Sequence, residues 1–308
     1  MNIMSKIVLV GDGAVGSAFA YSVLQHGIVD ELVLVDLRKT YTMGDAADLE
    51  DVTPMLYPAR VYAGNYQDAA DADIVVITAG IPRQVNESRL DLVNKNRQIL
   101  ASIVQPIVES GFSGCFVVSA NPVDLLTALT QHLSGFPKQK VIGTGTALDS
   151  ARLQVALSRA LNISTRGIDA YVLGEHGDSS FGAFDEATIN GQPLRSYPGV
   201  TPELLTTMMH QVQGKGGQII TNKGATYYGV ATSLTKICQA ILLDQAIALP
   251  VSAPLDGQYG LHGLYLGTPA IIARGGIRAV LEAQLSETEH QQMLASAATI
   301  NSLLMAVE

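Results

Sequence analysis

Residues 173–179, which read Leu-Gly-Glu-His-Gly-Asp-Ser, place His176 between two carboxylates and two glycines. The glycines permit a tight backbone path and the close approach of a ligand. The carboxylates can orient the imidazole and favour its protonated form, which suits a residue that exchanges a proton near neutral pH. A histidine beside acidic residues is also common in solvated loops. The segment therefore predicts a catalytic acid/base only if the rest of the chain supplies a reaction.

A glycine-rich turn near the N-terminus predicts a site for a dinucleotide. Gly11, Gly13 and Gly16 form G-x-G-x-x-G between an apolar run and a helical pattern, where they permit a tight turn and close approach of a pyrophosphate. Asp36 ends the second apolar run, where a carboxylate can hydrogen-bond the ribose 2′-hydroxyl and repel a 2′-phosphate. NAD is therefore favoured over NADP. The alternative for Asp36 is a structural turn cap.

Apolar runs of strand length alternate with helix-length segments in the first half of the chain. The runs are residues 6–10, 31–35, 74–78, 115–119 and 141–143, and the clearest helical segments are 13–26 and 90–110. This alternation predicts an α/β fold with a Rossmann-type doubly wound parallel sheet.

The second half is less regular and predicts an α+β catalytic domain. Helical patterns cover residues 150–161, 203–220 continuing into 226–243, and 286–307, with an irregularity expected at 215–217 and a hairpin at Asn190 and Gly191. We therefore predict a NAD-binding domain at 1–142 and a catalytic, substrate-binding domain at 143–308.

Two strand ends of the first half fit the same crevice as the glycine-rich turn. Gly80 follows the run at 74–78, and Asn121 follows the run at 115–119. Ligands of parallel sheets bind beyond the carboxyl ends of the strands, where the Asn121 amide could donate and accept hydrogen bonds. A structural Asx turn is the alternative for Asn121.

Composition excludes several classes of function. The chain has 308 residues, of which 47% are hydrophobic and 15% charged, so a folded globular protein is expected. A net charge of −9 argues against nucleic acid or an anionic membrane as a partner. No run is long enough to span a bilayer, the N-terminus lacks a signal-peptide pattern, and the two cysteines lack metal-ligand spacing. A cytoplasmic protein with no bound metal is the expectation.

Taken in order along the chain, these motifs resemble the L-lactate/malate dehydrogenase family. The matching positions are 11–16, 36, 87–93, 121–124, 149–152, 174–179 and 223–228, and the likeness covers essentially the whole chain. Residues 256–260 and 267–270 resemble the L-lactate dehydrogenases of lactic-acid bacteria in particular. The resemblance implies a NAD-dependent L-2-hydroxy acid dehydrogenase whose partner is a small 2-oxo or 2-hydroxy acid.

The resemblance also implies a role for each matching residue. His176 would be the acid/base, Asp149 would hold its other ring nitrogen, and Arg152 would bind the substrate carboxylate through a planar fork. Arg89 would close over the site on a mobile loop and polarise the C2 carbonyl. Asn121 and Thr226 would contact the substrate. The residues expected around the cofactor are Gly11, Gly13, Val15, Gly16, Asp36, Tyr66, Gly80, Ile81, Ser102 and Asn121.

Arg83 leaves the substrate open. Lactate dehydrogenases usually have glutamine at this position and malate dehydrogenases usually have arginine, which could pair with a second substrate carboxylate. Thr226, where malate enzymes commonly have a smaller residue, favours a methyl group instead. Pyruvate is thus the favoured substrate, and oxaloacetate or a bulkier 2-oxo acid is the alternative. Arg83 could also simply point to solvent.

Two further positions bear on regulation. Relatives that respond to fructose 1,6-bisphosphate carry an arginine and a histidine where this chain has Gln154 and Asp169. Neither residue supplies positive charge, so activity independent of that effector is expected. The family forms dimers and tetramers, which implies a homo-oligomer. A dinucleotide sensor without catalysis is the competing interpretation, but it would be expected to lack His176, Asp149 or Arg152.

Overall fold

The computed structural model describes residues 4–81 and 89–306, except for the side chains of residues 89–91. In chain order the strands are β1 (Lys6–Val10), β2 (Glu31–Val35), β3 (Arg60–Ala63), β4 (Ile74–Ile77), β5 (Cys115–Val118), β6 (Val141–Gly143), β7 (Ile168–Asp169), β8 (Val172–Leu173), β9 (Phe181–Gly182), β10 (Thr188–Ile189), β11 (Gln192–Pro193), β12 (Ile247–Asp256), β13 (His262–Ala273) and β14 (Gly276–Val280). The helices are α1 (Ala14–Gln25), α2 (Lys39–Val52), α3 (Arg89–Glu109), α4 (Val123–Ser134), α5 (Ala147–Leu161), α6 (Pro202–Lys223), α7 (Tyr228–Leu242) and α8 (Glu287–Met305).

The first six strands form a parallel sheet in the order β3-β2-β1-β4-β5-β6. This is the strand order of dinucleotide-binding doubly wound folds, so the predicted Rossmann-type sheet is confirmed. Helices cover both faces, since Phe19 of α1 packs on the Leu9 side and Val104 of α3 on the Val8 side. Strands buried on both faces must be apolar throughout, which explains their Val- and Ile-rich runs.

The strand order reverses between β1 and β4, where the ends of the two strands open a crevice. The N–H of Gly11, just beyond β1, donates to the carbonyl oxygen of Val35 at 2.8 Å. The N–H of Thr78, just beyond β4, donates to the carbonyl oxygen of Val10 at 2.9 Å. These bonds fix the backbone at the point where such folds bind their ligands.

Strands of the second half extend the same sheet. β12, β13 and β14 are antiparallel, and β12 joins β6 where Ser252 stands opposite Gly143. One sheet therefore crosses the boundary placed between residues 142 and 143, and the division into two domains stays a prediction.

Several elements differ from the sequence-based expectations. The elements that were not predicted are β3, β7, β8, β9, β12, β13, β14, α2 and α4. β12 contains Pro250 and Pro254, which remove hydrogen-bond donors and are typical of edge strands, so its run does not look like a strand. α6 runs without a break through residues 215–217, where an irregularity was expected. It ends at Gly224, whose φ of +85° breaks the helix, so the predicted continuation into α7 is wrong.

Two local predictions are confirmed. Asn190 and Gly191 have φ values of 49° and 81° between β10 and β11, as a two-residue hairpin turn requires. Ser286 and Glu289 form a reciprocal capping box at the start of α8.

None of the helices in residues 4–81 and 89–306 is both long and apolar enough to span a bilayer.

Candidate active site

The loop that carries His176, residues 174–180, joins β8 to β9 and is fixed at its start by β13. Gly174 and Gly267 exchange two main-chain hydrogen bonds, each 2.9 Å long. Gly174 has a φ of +89°, which favours glycine. A Cβ on Gly267 would lie 2.6 Å from the Gly174 carbonyl oxygen, so only glycine allows this approach. The loop thus begins in a defined direction.

The C-terminal helix holds the next residue of this loop. The N–H of Glu175 donates to Ser296 Oγ of α8 at 2.6 Å, and Ser179 Oγ donates to Glu175 Oε2 at 2.5 Å. Ser296 and Glu175 are both buried. The loop that carries His176 is therefore tied to an element more than 100 residues away along the chain, and no sequence motif indicated that bond.

Helix α6 holds the end of the same loop. Gln213 Nε2 donates to the carbonyl oxygens of Asp178 and Ser180, at 3.1 and 2.9 Å. Gln213 was also missed from the sequence, because a glutamine within a helical pattern is ordinarily solvated. Together with the β13 and α8 contacts, this bond leaves the loop little freedom to shift His176.

His176, Asp149 and Arg152 form one connected cluster. Asp149 Oδ2 lies 2.6 Å from His176 Nδ1, and its Oδ1 accepts from Arg152 Nη1 at 3.3 Å. The i, i+3 spacing places Asp149 and Arg152 on one face of α5. The His176 side chain is 27% exposed, against 8% for Asp149, so the ring is reachable from solvent while the carboxylate stands behind it.

Electrostatics favour the charged forms of this pair. Burial alone would raise the pKa of Asp149, but the imidazole of His176 and the Arg152 guanidinium outweigh it and hold that pKa below its ordinary value. Burial alone would lower the pKa of His176, but Asp149 and Asp124 outweigh it and raise that pKa. The arrangement stabilises an imidazolium, which can donate a proton to a substrate oxygen.

The structure describes the other predicted substrate residues only in part. Asn121 follows β5, is exposed, and its side chain makes no hydrogen bond within the described part of the chain, which leaves the amide available. Thr226 is half-buried between α6 and α7. Arg89 is the first residue of α3, and its side chain lies outside the described residues, as does the whole of Arg83.

Seven of the ten predicted cofactor residues line a cavity of about 350 Å³ at the crevice between β1 and β4. Those in its wall are Gly11, Gly13, Asp36, Tyr66, Gly80, Ile81 and Ser102. Val15, Gly16 and Asn121 are not in the wall. Val15 packs instead on the apolar core beneath α1, and Gly16 packs against Gly11.

The three glycines of the turn serve different purposes. A Cβ on Gly16 would lie 2.0 Å from the Gly11 oxygen, and one on Gly11 would lie 2.5 Å from Ala79 N, so both positions require close packing. A Cβ on Gly13 would meet no atom within 4 Å. Gly13 precedes α1, so the open space lies at a helix N-terminus, where phosphate is favoured. The residues present therefore fit a dinucleotide pyrophosphate.

Asp36 lines the same cavity, and its carboxylate is already oriented by hydrogen bonds. Its Oδ2 accepts the Asp12 N–H at 2.8 Å, and its Oδ1 accepts the Arg38 N–H at 2.8 Å and Arg38 Nε at 3.2 Å. Burial would raise the pKa of Asp36, but these donors outweigh it and lower the pKa, so the carboxylate is ionised. An ionised acceptor at this point fits a ribose hydroxyl and opposes a phosphate.

Comparisons with known proteins agree with this geometry. Residues 5–143 match the model of the lactate/malate dehydrogenase NAD-binding domain, and residues 146–307 match that of the lactate/malate dehydrogenase α/β C-terminal domain. L-lactate dehydrogenase 2 of Lactiplantibacillus plantarum is 57% identical over 97% of each chain. An L-lactate dehydrogenase of Lactobacillus delbrueckii subsp. bulgaricus is 58% identical over 97% of this chain and 98% of its own.

A solved structure shows the same likeness. The ligand-bound minor L-lactate dehydrogenase of Enterococcus mundtii superposes with a TM-score of 0.97 at 37% identity, over 99% of both chains. The fold, the NAD-binding half and these relatives lead to one conclusion: the chain belongs to the lactate/malate dehydrogenase family and is a NAD-dependent oxidoreductase.

Proposed function

We propose that this protein interconverts pyruvate and L-lactate, with His176 as the acid/base. The observation that carries the proposal is the buried Asp149 carboxylate, which lies 2.6 Å from His176 Nδ1 and 3.3 Å from Arg152. The residue proposed to transfer the proton, His176, and the residue proposed to bind the substrate carboxylate, Arg152, are therefore both held by Asp149. The relatives at 57% and 58% identity bear the name L-lactate dehydrogenase, which supports this substrate.

Each residue of the cluster has a defined part in the reduction. The His176 imidazolium donates its Nε2 proton to the C2 oxygen, and Asp149 stabilises the positive ring before that transfer. Arg152 binds the substrate carboxylate through two parallel hydrogen bonds, which fixes C2 relative to the ring. Bound NADH supplies the hydride that C2 receives. In the reverse direction the neutral ring accepts the hydroxyl proton of lactate.

The other residues complete the proposed site. Arg89 polarises the C2 carbonyl, while Asn121 and Thr226 contact the substrate. Gly11, Gly13 and Asp36 bind the cofactor, with Val15, Gly16, Tyr66, Gly80, Ile81 and Ser102 around it. Closure of Arg89 over the site would exclude water, and the charge interactions of His176, Arg152 and Arg89 with the substrate would then be stronger.

We also propose that the enzyme needs no sugar-bisphosphate effector and that it forms a homo-oligomer. Gln154 and Asp169 provide no cation for a sugar bisphosphate, so we infer activity without fructose 1,6-bisphosphate. A homo-oligomer, either dimer or tetramer, is supported by large apolar side chains left exposed on α2 and α7, such as Met43 at 65% and Tyr228 at 68%. Reduction of pyruvate in the cytoplasm would regenerate NAD during fermentation.

The test is turnover with a panel of 2-oxo acids, followed as NADH oxidation. We expect kcat/KM for pyruvate to exceed that for oxaloacetate and for 2-oxoisocaproate by at least about tenfold, and NADPH to be a poor substitute for NADH. Preference for oxaloacetate would instead assign Arg83 to a second substrate carboxylate and make the protein a malate dehydrogenase. No turnover with any 2-oxo acid would indicate a dinucleotide sensor.

A further inference from the structure

Asp124 is a buried carboxyl group that the proposed mechanism does not use. It lies in the first turn of α4 and is 1% exposed. Its Oδ2 accepts the main-chain N–H of His176 at 2.8 Å. Carboxylates this deep are ordinarily paired with a cation, yet Asp124 forms no salt bridge within residues 4–81 and 89–306. Its presence beside the reacting histidine therefore requires a reason.

The surroundings stabilise the ionised form only in part. The N-terminus of α4 favours negative charge in its first turn. Burial nevertheless raises the pKa of Asp124 to about 6, against the opposing effect of the His176 N–H. Asp124 Oδ1 and Ser252 Oγ are both buried without a hydrogen-bond partner in the described part of the chain. The carboxyl group is mostly ionised at neutral pH, at an energetic cost.

We propose that Asp124 is a positioning residue for proton transfer, which fixes the main chain of His176 and adds a second buried negative charge near the imidazole. The proposal rests on the function proposed above for His176. Asp149 acts at the ring and Asp124 at the backbone, so the two carboxylates hold the histidine from different elements.

Asp124 is also well placed to fix the histidine relative to the cofactor crevice. It follows Asn121 by three residues on the segment that begins α4. The Asn121 carbonyl oxygen accepts from Asn96 Nδ2 at 2.9 Å, and Asn96 Oδ1 accepts the N–H of Ile81 in the crevice wall at 3.0 Å. Hydrogen bonds thus connect the crevice wall to Asn121, and the main chain from Asn121 to Asp124 continues this connection to the His176 N–H.

The charged groups around both residues set the expected direction of change. Asp149 and Arg152 face His176 from α5, and Asp124 faces it from α4. Glu175, on the histidine's own loop, faces Asp124. Asp124 and Asp149 favour the imidazolium, whereas Arg152 opposes it. Removing the Asp124 charge should therefore make the imidazolium lose its proton at a lower pH.

Two variants separate the two contributions. Asp124→Asn keeps an oxygen that can accept the His176 N–H but removes the charge, whereas Asp124→Ala removes both. In Asp124→Asn we expect the alkaline limb of kcat/KM for pyruvate reduction to move down by about half a pH unit, with kcat at low pH nearly unchanged. In Asp124→Ala we expect kcat to fall about tenfold or more at every pH, because the ring is misplaced.

Two controls make the comparison specific. Asp51→Asn changes the net charge equally at an exposed position of α2 and should leave the pH profile unchanged. NADH binding, measured by fluorescence titration, should be the same in all variants, since Asp124 does not line the crevice.

An Asp124→Ala enzyme that folds and keeps the wild-type kcat and pH profile would overturn the proposal. If Asp124→Ala unfolds the protein, the pH profile of Asp124→Asn tests the proposal. An alkaline limb that does not move in Asp124→Asn would then overturn it. If neither variant folds, Asp124→Glu decides, because it keeps the charge but displaces the acceptor of the His176 N–H. Its kcat should fall while the alkaline limb stays in place, and an unchanged kcat would be contrary to the proposal. Turnover retained by His176→Gln would contradict the proposed function instead. An inactive His176→Gln beside unchanged Asp124 variants would contradict this inference alone.

Discussion

His176 is the residue on which the proposed chemistry depends, and the carboxylates around it favour its protonated form. Asp149 raises the pKa of His176 above its ordinary value, although burial acts in the opposite direction. A group with a raised pKa keeps its proton to higher pH and loses it as the pH rises through that value. The proposed reduction of a 2-oxo acid uses the protonated ring, so we expect reduction to weaken at high pH and oxidation of the hydroxy acid to strengthen.

Replacing Asp149 by asparagine tests this coupling. Asp149→Asn removes the charge that favours the imidazolium, so the pKa of His176 should fall. We expect KM for pyruvate to rise about tenfold at pH 7 and to recover toward wild type as the pH is lowered and the ring regains its proton. Steady-state kinetics across this pH range provide the measurement. A KM that is equal in both enzymes at every pH would rule out Asp149 as the support of the protonated ring.

At the scale of secondary structure, the site depends on elements that have very different sequence signals. Buried parallel strands are continuous apolar runs, so β1, β2 and β4–β6 could be predicted together with the glycine-rich turn. β12 could not, because Pro250 and Pro254 interrupt its pattern. β3 was missed because it is a four-residue strand at the sheet edge with an exposed arginine, Arg60.

The residues of the candidate site and those that hold the loop at 174–180 also differ in how visible they are in the sequence. His176, Asp149 and Arg152 belong to motifs whose order along the chain could be read, and the structure brings the three together. Gln213 and Ser296 are single polar residues in helices, and their contacts with the loop cross 33 and 121 positions. A contact that depends on three-dimensional packing leaves no local pattern, so neither residue could be found from the sequence.

The contact between β13 and the catalytic loop gives a prediction at this scale. A methyl group at position 267 would overlap the Gly174 oxygen and Thr146, so Gly267→Ala should displace the loop. We expect a loss of about 1–3 kcal/mol in the free energy of unfolding and a fall in kcat greater than tenfold. Gly275→Ala is the matched control, because a Cβ there meets no atom within 4 Å. Urea denaturation and kcat should both separate the two variants, and equal behaviour would show that the contact is unimportant.

The whole molecule combines both halves in one sheet. β6 and β12 pair across Gly143 and Ser252, so the cofactor crevice and the catalytic loop share a continuous framework. Met43 and Met55, at 65% and 77% exposure, leave apolar surface on and just after α2 that association with a second copy could cover. The formal charge of −9 limits attraction for anionic effectors except at local basic sites.

Regulation can be tested at this scale. Gln154 is half-buried on α5, and Asp169 is exposed at the end of β7. Because neither attracts phosphate, we expect KM for pyruvate to be the same with and without fructose 1,6-bisphosphate. A double variant, Gln154→Arg with Asp169→His, supplies one permanent cation and one imidazole that can be protonated, and it serves as the comparison. A decrease of about tenfold in the wild-type KM on addition of the bisphosphate would contradict the expectation.

The most direct measurement is kcat/KM for pyruvate in His176→Gln, with NADH affinity measured in parallel. Glutamine can still hydrogen-bond but cannot carry the transferable proton. We expect kcat/KM to fall by about a thousandfold while NADH binds as in the wild type, since general acid–base catalysis contributes about 10²–10⁴ to such rates. A variant that keeps kcat/KM within about threefold of wild type would contradict the assignment of His176 as the residue that protonates the substrate.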